Sequence, residues 1–145
     1  MGDRCSGRLD APGLHAATCL VGGNRTATHN GQRDLWAQQL PGAGFAVHRE
    51  QHVPGWDRWV RRANGGCARQ RAVLDLRAEA PPDAPVTYLD VKVTHPCSAT
   101  YVAGAAGENG YAAQKAEDDQ HARYPANTPG VSGRLVPLVV ETYGR

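Results

Sequence analysis

Three stretches of this chain alternate apolar and polar residues, the period of a half-buried strand, and two others carry apolar residues at helical spacing. "HNGQRDLWAQQL" (29–40) reads as a short helix with Leu35, Trp36 and Leu40 on one side and "PGAG" as its stop. "FAVHREQHV" (45–53) reads as a strand, and "PGWDRWVRRANGGCARQ" (54–70) as a polar, Arg-rich connection. A second strand, "RAVLDLRAE" (71–79), is followed by the turn "APPDAP" (80–85) and by a third strand, "VTYLDVKVTHP" (86–96), which Pro96 ends. "YAAQKAEDDQHARY" (111–124) is a helix stopped by Pro125, and "RLVPLVVETYG" (134–144) is a closing apolar strand. Three consecutive strands with short connections predict an antiparallel meander. The last strand joins after a helical crossover, parallel to one of them. The expected class is α/β: a sheet flanked by helices.

The third strand holds one of the chain's two lysines. Asp90 and Lys92 lie two positions apart and emerge on one face, while Leu89, Val91 and Val93 line the other. Burying either charge alone is unfavourable, so the pair is a mutual salt bridge or a site. Asp75 adds a third member. It lies on the preceding strand, fifteen residues from Asp90, a distance that fits two antiparallel arms and a turn. Two carboxylates and a lysine on one sheet face suit a hard cation: Mg²⁺ takes one or two carboxylates plus water and phosphate oxygens. Lys92 is then placed to orient a water or to neutralise charge on a phosphate.

Composition bounds the picture without changing it. A chain of 145 residues, 41% hydrophobic and 21% charged, suits one domain with its own core. No apolar run approaches a membrane span and no signal-peptide h-region opens the chain, so the expected location is intracellular, nuclear or cytoplasmic. In that setting the four cysteines read as free or metal-bound. Charge is uneven: residues 1–72 carry a net +5 and residues 73–145 a net −3. Such a split suits phosphate contacts beside a metal site, although fourteen Arg against two Lys also fits GC-rich coding.

Asp75 and "Asp90-Val91-Lys92" on neighbouring strands, inside an α-β-β-β-α-β order, resemble the PD-(D/E)XK nuclease superfamily. "HAATC", "THNGQRD", "EQHVPGWD", "YLDVKVTHP", "AEDDQHARY" and "PLVVETYGR" are more specific. They resemble the restriction-endonuclease-like domain of non-LTR retrotransposon reverse-transcriptase polyproteins. The resemblance implies a restriction-endonuclease-like α-β-β-β-α-β core over residues 29–145, truncated at its C-terminus, after a zinc-knuckle-like segment over residues 1–28. It also implies Asp75 and Asp90 as ligands of Mg²⁺ or Mn²⁺, and Lys92 as the residue assisting hydrolysis. Two departures stand out. Leu74 occupies the proline position of the superfamily name, and Gln120 stands where a basic residue is expected, with His121 and Lys115 as substitutes. Glu50 is either a further metal ligand or a solvated edge charge.

Cys5, His15 and Cys19 resemble the family's zinc-binding knuckle, with His29 as a possible fourth ligand; free thiols and surface histidines are the alternative. Cys67 and Cys97 read as buried or idle, and Trp36 as core. Trp56 and Trp59 lie among Arg58, Arg61 and Arg62, an arrangement that stacks on bases and holds phosphates or else anchors a loop. Arg33, Lys115 and His121 complete the residues expected to face nucleic acid, and His95 reads as a strand-end cap. The expected function is metal-dependent nicking of DNA to prime reverse transcription, with the reverse transcriptase of the parent polyprotein upstream. The alternative is an inactive nucleic-acid-binding relic of the same domain.

Overall fold

A computed structural model of the chain describes residues 5, 7, 8, 15, 19, 24–80, 82 and 84–142. Helix α1 spans Asn24–Gly42, and strand β1, Ala46–His52, follows. A 3-10 turn at Pro54–Trp56 leads to β2 (Arg58–Arg61) and β3 (Cys67–Gln70). Then come β4 (Val73–Glu79), β5 (Thr87–Thr94), the short helix α2 (Val102–Ala105), α3 (Tyr111–Arg123) and β6 (Arg134–Glu141). Tyr143 and Gly144, the end of the expected last strand, lie outside the described residues.

The principal sheet has the order β1-β4-β5-β6, and both β1–β4 and β4–β5 are antiparallel. β6 runs parallel to β5. The Arg134 N–H donates to the Val86 carbonyl and the Thr142 N–H to the Thr94 carbonyl, so the offset is the same at both ends. Parallel neighbours need a long crossover, and α3 lies within it. Gly133, at φ +141, opens β6 where a Cβ would meet the Val86 carbonyl oxygen at 2.5 Å. The structure is therefore mixed α/β with a mixed sheet and helices; its element order differs from the one the periodicity predicts by the inserted β2, β3 and α2.

The connection over residues 54–70 is more than a loop. β2 and β3 form an antiparallel hairpin, with Arg58 opposite Gln70 and Arg61 opposite Cys67. Its turn is closed by the Arg62 N–H on the Gly66 carbonyl (2.7 Å) and the Gly66 N–H on Asn64 Oδ1 (3.1 Å), with Gly65 at φ +83. "NGG" is a hairpin signal, but charge on both arms hides the alternation that would frame it.

The chain divides into two compact units. In the unit of residues 35–90 and 119–137, Leu74 and Leu76 are fully buried. Trp56 packs there edge-on to Tyr88 (ring centroids 5.4 Å apart, 75°) and against Tyr124 (5.4 Å). Its indole N–H donates to the Pro125 carbonyl (3.1 Å) and to Thr128 Oγ1 (3.0 Å). A buried indole is stable only with such a partner. In the unit of residues 1–34, 91–118 and 138–145, Val91, Val93, Ala112 and Ala116 are buried. Glu141 is buried there too, and its Oε1 accepts the Ala113 N–H at 3.0 Å, placing a carboxylate at the positive end of α3.

Two expectations fail on burial. Trp36 is 38% exposed rather than core, and its neighbour Leu35 is 47% exposed, because α1 carries too few large apolar residues to bury a continuous stripe. Of the two readings of Cys67 and Cys97, buried or idle, burial fails, since both are exposed; Cys67 lies on the hairpin and Cys97 in the turn after β5.

Candidate functional site

The β4–β5 ladder pairs Leu76 with Leu89, Arg77 with Tyr88 and Ala78 with Thr87. Continued by one residue, this register sets Asp75 directly opposite Asp90. Opposed residues of an antiparallel pair project to the same face, so the two half-buried carboxylates share one side of the sheet. Leu74, Leu76, Leu89 and Val91 point to the other side and are buried. Lys92 follows Asp90 by two residues on β5 and is half-buried.

Glu50 lies in the same transverse row on β1. Arg49 pairs with Leu76 and Gln51 with Leu74, which leaves Glu50 at the level of Asp75, but that step is missing from the ladder. Glu50 has φ +52, a left-handed conformation unfavourable for a non-glycine residue, and its side chain is exposed. Together with the two aspartates it does not form a group of ligand atoms within 4.8 Å of one another.

Helix α3 supplies what the sequence did not announce. Ala112, Ala116, Gln120 and Tyr124 recur at four-residue spacing and are all buried. Gln120 Nε2 donates to Asp90 Oδ2 at 2.6 Å, while Gln120 Oε1 is buried without a hydrogen-bond partner. Burial raises the Tyr124 phenol above its ordinary value, and the negative charges of Asp90 and, more weakly, Asp75 add to the shift. The position expected to be basic is thus a neutral donor to the carboxylate. Its expected substitutes, Lys115 and His121, are exposed, and Lys115 sits 3.9 Å from Asp118. The i, i+4 run of small and amphipathic residues was the signal available for Gln120 and Tyr124.

Cys5, His15 and Cys19 come together. Cys5 Sγ lies 3.0 Å from His15 Nε2 and 3.3 Å from Cys19 Sγ, and the Cys19 N–H donates to the His15 carbonyl (2.8 Å). All three ligand atoms fall within 4.8 Å of one another, the one such group of His, Cys, Asp or Glu among the described residues. The Gly7 N–H, with Cys19 and His15, holds the Cys5 thiol below its ordinary pKa. Gly7 has no room for a side chain, since a Cβ would run into the His15 ring. Two sulfurs and an imidazole suit Zn²⁺, which binds four ligands in structural sites. His29 is not in the group; it lies on α1 with Nδ1 3.3 Å from Asn30 Oδ1.

The basic residues separate by environment. Arg33 is largely buried and pairs with Asp34 at 3.0 Å. Arg58, Arg61 and Arg62 are exposed, with Arg58 Nε donating to Gln70 Oε1 at 3.0 Å. The two tryptophans also part: Trp56 is core, whereas Trp59 is 73% exposed on the hairpin. The hairpin register puts Trp59, Arg61 and Arg69 on one face.

Asp57 is a buried charge that sequence reading passed over. Its side chain is 4% exposed, and it accepts the Ala72 N–H (2.8 Å) and pairs with His52 (2.9 Å) and Arg69 (3.0 Å). The Ala72 hydrogen bond, then His52 and Arg69, hold its carboxyl below the ordinary value against the opposing effect of burial. This knot ties the hairpin to the ends of β1 and β4.

Among the described residues, no helix is long and apolar enough to cross a membrane. No protein-family model, curated protein or solved structure matches this chain.

Proposed function

We propose that this chain is a metal-dependent DNA endonuclease domain of the restriction-endonuclease-like type, resembling the domain carried by non-LTR retrotransposon polyproteins. One observation carries the reading: the register opposes Asp75 to Asp90 on one sheet face, and Gln120 fixes Asp90 from α3. Asp75 and Asp90 would hold Mg²⁺ or Mn²⁺, which acidifies water and offsets charge on a phosphate. Two opposed carboxylates with a neutral amide donor fit that ion, since they supply oxygens and leave positions for water. Gln120 keeps one Asp90 oxygen turned toward α3, which sets the direction of the other. Lys92 would supply the ammonium that stabilises phosphoryl charge. Hydrolysis adds water oxygen to phosphorus and breaks the bond to the 3′ oxygen, leaving a 3′-hydroxyl and a 5′-phosphate. That hydroxyl is the primer which reverse transcription needs.

Cys5, His15 and Cys19 would hold Zn²⁺ as a structural ion, the fourth ligand coming from elsewhere. The exposed Trp59, Arg58, Arg61 and Arg62 supply the DNA contacts. The second reading, an inactive nucleic-acid-binding relic, is favoured by Glu50, Asp75 and Asp90 not converging into one group of ligand atoms within 4.8 Å. Plasmid nicking with Mg²⁺ or Mn²⁺ separates the two. Asp90→Asn abolishes cleavage, and Lys92→Ala lowers it by about a hundredfold while melting stays near the parent. If Lys92→Ala melts much earlier and cleavage falls only with the folded fraction, the lysine is structural and the nuclease reading loses its support.

A further inference from the structure

A cavity of about 440 Å³ lies beside the end of β5, and every described residue around it belongs to the unit of residues 1–34, 91–118 and 138–145. Arg25, Lys92, His95, Ser98, Tyr101 and Thr142 lie in its wall, and among the described residues no Asp or Glu lines it. Most of these groups donate: a guanidinium and an ammonium have donors only, and hydroxyls turn to suit the ligand. His95 is 7% exposed and its Nδ1 is engaged by Thr142 Oγ1, so this part of the wall is braced. Ser98 Oγ is buried with no hydrogen-bond partner, although its backbone accepts from both Tyr101 and Val102. A buried hydroxyl left unpaired in a native fold calls for an explanation, and a ligand oxygen provides one.

Two permanent cations and several hydroxyls, with no carboxylate among the described lining residues, select a multiply charged oxyanion over a neutral or cationic ligand. The volume exceeds what a lone phosphate fills and falls in the range of small-molecule sites, roughly 300–1,000 Å³. Val93 and the Tyr101 ring give the wall apolar surface for an attached sugar. We propose that this cavity is a phosphate subsite, in which Arg25, Lys92 and the hydroxyls of Ser98, Tyr101 and Thr142 hold the phosphate of a deoxynucleotide. The naming of DNA as its source rests on the endonuclease reading; the anion site rests on the cavity wall. A phosphodiester inside a strand and a 5′-terminal phosphate share this chemistry.

The test titrates the full chain by calorimetry, at low ionic strength and without added divalent metal, using thymidine 5′-monophosphate, thymidine and the dinucleotide TpT. Thymidine 5′-monophosphate binds at least about tenfold more tightly than thymidine, the loss of one charge-assisted hydrogen bond being worth about that factor. Arg25→Ala weakens it by about tenfold and Arg25→Lys restores part of the loss; Arg25 is exposed, so the fold survives both. Ser98→Ala weakens it severalfold. Competition by TpT identifies an internal phosphodiester, and binding of the monophosphate alone identifies a strand end; either supports the subsite. Equal affinity for thymidine and its phosphate, or parent affinity in Arg25→Ala, overturns it. Plasmid nicking is measured separately. Phosphate binding without any nicking refutes the endonuclease reading and leaves the subsite standing.

Discussion

Gln120→Leu separates the work of α3 in folding from its work at the carboxylates. The substitution keeps volume and removes both amide atoms. Losing the 2.6 Å bond to Asp90 Oδ2 removes a hydrogen bond to a charged group, about 1.5–3 kcal/mol. Losing Oε1 removes a buried acceptor with no partner, a gain of about 1–3 kcal/mol. The two effects oppose, so net stability changes by no more than about 2 kcal/mol and the melting temperature by no more than about 4–8 °C. Function does not cancel in the same way. Asp90 loses the contact that aims it, and removing such an outer partner weakens metal binding or activity by about 10–100-fold. The assay is plasmid nicking across a Mg²⁺ titration, with melting curves on the same preparations. The expected result is a metal midpoint shifted upward by that factor and partial recovery at high Mg²⁺. A parent-like midpoint, with nicking reduced only in step with folded protein, would show that Gln120 merely packs α3 on the sheet.

Further outcomes concern the acid limit, the Cys/His group and the hairpin. Asp57 has a folded pKa below its unfolded value of about 3.8, so its stabilisation is present above that pH and lost as pH falls through the folded value. Acid melts of the parent should therefore steepen below about pH 4, and Asp57→Asn should melt earlier at neutral pH with a flatter acid limb. Freshly purified, reduced protein should contain about one zinc ion per chain, released by a chelator and lost in Cys5→Ser; metal analysis showing none removes the zinc assignment alone. Replacing Arg58, Arg61 and Arg62 together should reduce the log–log salt slope of DNA affinity by about one per lost phosphate contact. Trp59→Ala should weaken single-stranded DNA by about 1–3 kcal/mol with little effect on melting, because its ring is 73% exposed. An unchanged slope, or parent affinity in Trp59→Ala, marks the hairpin as ordinary surface.

What could be read along the chain was whatever depends on neighbours in sequence. Alternation marked β1, β4 and β5, and a short turn between the last two confined Asp75 and Asp90 to one level of the ladder. His15 and Cys19 are four residues apart and joined by a backbone hydrogen bond, so their convergence is also local, whereas Cys5 reaches them through the close approach at Gly7. Long-range placement was not legible. Trp56 and Trp59 stand three residues apart in one Arg-rich stretch, yet one fills the core against Tyr88 and Tyr124 and the other faces water. The same holds for Gln120, for the buried Asp57, and for Trp36, whose helix lacks a broad apolar face. Periodicity specifies that a helix or strand forms. The rotation of that element against its neighbours is selected by packing between residues far apart in the chain, and it decides which polar side chain meets Asp90.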